Sequence, residues 1–76
     1  MPTAAVNEVL GQVIAEQRRR VGLSQEALAF ATQRHRTYVS LIERGIKSPT
    51  VRVLFELAQA LQTNPSELLR QVEERL

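Results

Sequence analysis

The sequence predicts an all-α fold of five helices. Apolar residues recur at intervals of three and four, and no strand-like alternation persists. Gly, Pro and Asn fall between the periodic segments as punctuation. Several of those segments also follow directly on a good helix N-cap.

Helix one is predicted from about Val6 to Val21, where Val6, Leu10, Val13, Ile14 and Val21 make one apolar stripe. Arg18, Arg19 and Arg20 fall in its last turn, where cations suit the helix dipole, and Gly22 is placed as a left-handed C-terminal cap. Such an Arg run is more often a solvated helix end than a binding patch.

Helix two is predicted from about Gln25 to Ala31, capped by Ser24, with Leu28, Ala29 and either Ala31 or Thr32 inward. Gln25 sits in the first turn, where a polar side chain suits either a phosphate clamp or simple capping support.

Helix three is predicted from about Arg36 to Arg44. Val39 and Ile42 point to the core, leaving Arg36, Thr37, Ser40 and Leu41 outward. Arg can pair with guanine O6 and N7, and Thr can hydrogen-bond or touch a thymine methyl. Tyr38 falls at the boundary between the faces, with its hydroxyl placed to reach a phosphate oxygen.

Gly45 ends helix three, and Thr50 caps helix four, about Val51 to Leu61, which buries Leu54, Leu57, Ala58 and Leu61. Gln62 to Asn64 form a turn. Asn64, Pro65 and Glu67 then give a strong start signal for helix five, with Leu68, Leu69, Val72 and Leu76 apolar.

Seventy-six residues allow one small domain, with no room for a ligand-sensing or catalytic unit, so no small-molecule effector is expected. The absence of Cys and the single His exclude disulfide staples and a zinc-ligand cluster, and no metal or cofactor is implied. The start has no signal-peptide pattern and no apolar run reaches membrane length, which points to a cytoplasmic protein.

Charge is distributed unevenly. Between Gln17 and Arg52 lie eight cations opposed by Glu26 and Glu43 alone, a net +6, while the rest of the chain carries −4. A basic middle between acidic ends suggests one face for phosphates and another kept away from them; a solvated charge face is the plainer alternative. Paired carboxylates at Glu73 and Glu74 have no nucleophile or cofactor motif nearby, so no enzyme activity is expected.

The chain resembles the Cro/C1-type (Xre-family) helix-turn-helix repressors. The likeness runs from about Leu10 to Leu69. It is carried by Leu10-Gly11, Ile14 and Arg18, by Gly22-Leu23-Ser24-Gln25-Glu26 and Leu28-Ala29, and by Arg36-Thr37-Tyr38-Val39-Ser40. It continues through Ile42-Glu43-Arg44-Gly45, Pro49-Thr50 and Leu57-Ala58-Gln59-Ala60-Leu61. Any one of these is weak, but the ordered set is highly specific.

The resemblance implies a compact, lambda-repressor-like DNA-binding domain over 1–76, with the helix-turn-helix at about 24–44. Arg36, Thr37, Ser40 and Leu41 would read bases. Gln25, Arg34, Tyr38, Arg44 and Lys47 would meet phosphates, and Arg18 and Glu43 would form a structural ion pair. It also implies a homodimer on a pseudo-palindromic operator in double-stranded DNA. The helix at about 65–75 is the candidate dimer element, through Leu69, Val72 and Leu76, with Leu68 and Leu69 partly spent on the core. Small standalone repressors, restriction-modification controllers and autoregulating antitoxins all fit this description. The His-Arg-Thr-Tyr start of helix three resembles the controller group. A protein-interaction module with secondary DNA binding is the alternative.

The chain departs from the family pattern in the turn, where Gln33-Arg34-His35 replaces Gly, an aliphatic residue and a cap such as Ser. A left-handed Gln33 costs on the order of 1 kcal/mol. The Arg34 stem partly substitutes for the missing packing, and His35 caps weakly, so a looser or extended turn is expected.

Overall fold

The computed structural model describes residues 3–76, so the first two residues of the expected domain lie outside them. Five helices follow in order: α1 (Thr3–Arg20), α2 (Gln25–Ala31), α3 (Arg36–Glu43), α4 (Val51–Ala60) and α5 (Pro65–Arg75). Helix α1 begins earlier than the apolar stripe, because helix-favouring alanines precede Val6. Side-chain caps set three of the starts. The backbone N–H groups of Ala27, Val53 and Glu67 donate to Ser24 Oγ, Thr50 Oγ1 and Asn64 Oδ1 at 3.0, 3.2 and 2.9 Å.

The first four helices all end the same way. Each closes with a pair of backbone bonds in which the N–H groups of the two residues past the C-cap return to the last turn, the first of the two being left-handed. Gly22 and Gly45 supply that residue after α1 and α3, at φ of 80° and 76°. After α2 and α4 it is Gln33 and Gln62, at φ of 56° and 59°. The turn of the helix-turn-helix is therefore not loose. Gln33 N–H donates to Phe30 O at 3.1 Å, and Arg34 N–H to Ala29 O at 2.8 Å. Two hydrogen bonds offset the strain of a side chain in left-handed backbone.

The core gathers Leu10, Val13 and Ile14 of α1, Leu28 and Ala29 of α2, and Val39 and Ile42 of α3 around Leu54, Leu57 and Leu61. Each large side chain enclosed here contributes roughly 2 kcal/mol. Of the two alternatives on α2, Thr32 is the buried one and Ala31 is exposed. Thr32 can be inside because its hydroxyl donates to Leu28 O at 2.8 Å.

Helix α1 packs against both α3 and α5. A Cβ on Gly11 would lie 2.4 Å from the Glu43 carbonyl oxygen and 2.5 Å from that of Ile42, so α1 and α3 approach as closely as backbones can. Arg75 reaches Glu16 at 2.6 and 2.9 Å, joining α5 to α1. Gln17 Nε2 donates to Leu61 O at 2.9 Å and ties α1 to the end of α4.

Helix α5 divides differently from expectation. Leu68 and Val72 are the residues spent on the core, while Leu69 and Leu76 are exposed. Val72, expected at a dimer seam, is 3% exposed and offers nothing to a partner. The reason is helical phase: Leu68 and Val72 are one turn apart and point together toward the core, and Leu69 falls ~100° away. No helix among the described residues is long and apolar enough to cross a membrane.

Candidate nucleic-acid interface

Helix α3 has two faces. Val39 and Ile42 are buried, and Tyr38 packs at the core edge. Arg36 and Thr37 are exposed, and Ser40 and Leu41 are half-buried beside them. At ~100° per residue these four lie on one side of the helix, with Arg44 continuing the row. His35 precedes them as an N-cap whose side chain makes no capping hydrogen bond.

Cations and polar groups border that face on both flanks. On one side Gln25, Ser24 and Arg36 line a depression together with Glu26, and Gln25 and Arg44 line a second together with Arg19, Glu16 and the paired Glu43. On the other side Arg34, Tyr38, Thr50 and Arg52 line a third. Lys47 and Arg34 both stand over the Tyr38 ring, at 5.3 Å from Nζ and 5.5 Å from Cζ to the centroid. Lys47 is placed by the loop after α3, whose N–H groups at Ile46 and Lys47 donate to Leu41 O at 3.0 and 3.2 Å.

Two residues expected to meet phosphates carry other bonds. Arg34 Nη2 donates to Glu56 Oε1 at 3.0 Å, and its Nε is buried with no hydrogen-bond partner among the described residues. Its charge is thus partly neutralised. Gln25 Nε2 donates to Glu43 Oε1 at 2.9 Å. Arg44 and Lys47 are exposed at the rim.

The pair at Arg18 and Glu43 is almost enclosed, with side chains 11% and 6% exposed. Arg18 donates through Nε and Nη2 to the two carboxylate oxygens at 2.7 and 3.1 Å, and through Nη1 to Leu23 O at 2.9 Å. Glu43 is the last residue of α3 and Arg18 lies on α1, so the pair fixes the angle of the outward helix.

Glu56, Arg52 and the Gln25–Glu43 bond were not legible from sequence as parts of this site. Arg52 was visible only as one of the basic residues. An Arg in a position that favours an aliphatic side chain was a signal for a carboxylate nearby, but not for which one.

A helix pair closed by a tight turn, with the second helix presenting a polar basic face, defines a helix-turn-helix protein. Comparison with known proteins bears this out. The helix-turn-helix family model HTH_3 matches residues 14–68, and the chain belongs to this family, of the Xre/Cro-C1 type. It is 38% identical over 69 residues to an uncharacterised HTH-type transcriptional regulator, y4dJ of Sinorhizobium fredii, spanning 91% of this chain and 90% of that protein. It is similar to the restriction-modification controller protein C.AhdI from Aeromonas hydrophila, with 41% identity, a TM-score of 0.77, and coverage of 80% of this chain and 92% of that one. The controller protein C.Esp1396I, solved as a tetramer with its natural 35 base-pair operator, superposes with a TM-score of 0.80 at 26% identity, covering 91% of each chain.

Proposed function

We propose that this protein is a sequence-specific, double-stranded DNA-binding transcription regulator that acts as a homodimer on a pseudo-palindromic operator. Residues 1–76 are read as one unit, with 24–44 as its helix-turn-helix. The observation that carries this is the outward face of α3, bordered by Gln25 and Arg44 on one flank and by Arg34, Tyr38 and Lys47 on the other. Polar side chains that can address base edges sit in the middle, and groups suited to phosphates stand at the rims. The likeness to controller proteins, one of them solved on its operator, supports the same reading.

Arg36, Thr37, Ser40 and Leu41 are assigned to bases. Gln25, Tyr38, Arg44 and Lys47 are assigned to phosphates, with Arg34 in a weaker share because Glu56 holds it. The dimer seam is assigned to what α5 and α4 leave uncovered: Leu69, Leu76, Val51 and Phe55. Phe55 of α4 and Pro65 of α5 line one groove, together with polar residues that include Arg52 and Asn64.

Selection from a random-sequence duplex pool tests the assignment. One half-site repeated with two-fold symmetry is the expected product, and affinity for it falls by orders of magnitude from low to moderate salt. Recovery of no preferred sequence would refute it. Phe55→Arg is expected to give folded monomers in sedimentation and to lose two-site binding.

A further inference from the structure

Gln25 stands at the rim of the interface, but its amide is not free to turn. The carboxylate it donates to belongs to Glu43, and that carboxylate also receives two N–H groups of Arg18. A carboxylate only accepts hydrogen bonds, so the end of the amide that faces it must be the nitrogen. The bond uses one of the two hydrogens on Nε2 and leaves the second for another acceptor.

We propose that Glu43 is a positioning residue for DNA binding: through Gln25 it fixes which end of an amide meets the DNA backbone. This rests on the assignment of Gln25 to a phosphate. An unrestrained amide offers its carbonyl oxygen as readily as its nitrogen, and a carbonyl oxygen repels a phosphate. Glu43 removes that ambiguity. Its own negative charge does not oppose the phosphate, because Arg18 neutralises it at 2.7 Å. The three residues come from α1, α2 and α3, so the phosphate contact at the start of α2 is referenced directly to the helix that faces the bases.

The double-mutant cycle of Gln25→Ala and Glu43→Met, which removes both acceptor oxygens, tests this, with affinity for the selected half-site measured on variants whose folded fraction is known from circular dichroism. Loss of one hydrogen bond to a charged acceptor corresponds to about a tenfold weaker affinity. Gln25→Ala is therefore expected to weaken binding about tenfold in the natural background and by less than twofold beside Glu43→Met. A purely structural Glu43 would lower the melting temperature but leave the tenfold factor intact in both backgrounds, and that result overturns the proposal. So does an unaltered affinity for Gln25→Ala in the natural background. A natural protein that binds no duplex at all refutes the function instead.

Should Glu43→Met fail to fold, the unaltered protein labelled with nitrogen-15 gives the answer. One side-chain amide proton of Gln25 is expected to be protected before DNA is added and to stay in place. The other is expected to shift when the duplex binds. Movement of the protected proton, or of neither, overturns the proposal.

Discussion

Gly11→Ala is a substitution for which helix propensity and packing predict opposite signs. Gly11 lies inside α1, where Ala is favoured over Gly by about 1 kcal/mol, so propensity alone predicts a more stable protein. Packing predicts the reverse. The new Cβ would fall 2.4 and 2.5 Å from the carbonyl oxygens of Glu43 and Ile42, and 2.8 Å from the carbonyl carbon of Glu43. None of these atoms belongs to a side chain that can swing away. Restoring ordinary contact, near 3.5 Å, requires α1 and α3 to separate by ~1 Å. Overpacking of this kind costs about 3 kcal/mol, leaving a net loss of about 2 after the gain in propensity. For a domain this small that corresponds to a fall of roughly 10 °C in melting temperature. The separation also stretches the pair of Arg18 and Glu43, so the outward helix tilts and half-site affinity falls among the molecules still folded. Thermal unfolding by circular dichroism, with DNA titration below the transition, reads both effects. An unchanged or higher melting temperature would refute the claim of backbone-to-backbone approach.

Glu43→Ala leaves the Arg18 guanidinium enclosed without its partner and is expected to destabilise by about 3–5 kcal/mol, read by denaturant titration. Val72→Arg puts a charge into the core and is expected to abolish the cooperative melt; a folded monomer in sedimentation would contradict its placement. Gln33→Gly relieves left-handed strain but loosens the unfolded chain, for a net gain of about 0.5 kcal/mol and a melting temperature a few degrees higher. The hydrogen bond from Arg70, and then that from Gln71, hold the Glu67 carboxyl down at about 2. A carboxyl lowered in the folded state contributes stability above its unfolded range near 4.3, lost as pH falls toward 2. Glu67→Gln is expected to flatten the acid side of the stability profile between those values.

Most of the fold was legible because its boundaries are made by local chemistry. Ser24, Thr50 and Asn64 cap the helices they precede in sequence, and Gly22 and Gly45 end two others. The outward residues of α3 were legible too, since two core positions fix the phase of a short helix. What escaped depends on relations across the chain. Gln62 adopts the same left-handed geometry as Gln33, yet nothing in its neighbourhood required it. Val72 and Leu69 belong to one apolar stripe, and only the seating of α5 against its neighbours decides which is covered. Arg34 finds Glu56, 22 residues further along the chain, by proximity in space. The weak cap at His35 was readable, whereas the firmness of the turn was not, because it comes from backbone bonds available to any residue.

The bond between Arg34 and Glu56 sets the unit in which this reading head can be exchanged. Grafting Arg36, Thr37, Ser40 and Leu41 onto a relative's scaffold transfers the outward side chains and leaves the anchor behind. Carrying the turn with them, without the acid on α4, would leave a half-buried guanidinium whose Nε has no other partner among the described residues. Recombination that keeps 33–56 together passes on Arg34 with Glu56, while Glu43 still depends on Arg18 of α1. A crossover between residues 44 and 50 separates Arg34 from Glu56, and chimeras joined there keep the backbone bonds of the turn but lose its tie to α4, even when every outward side chain has been copied.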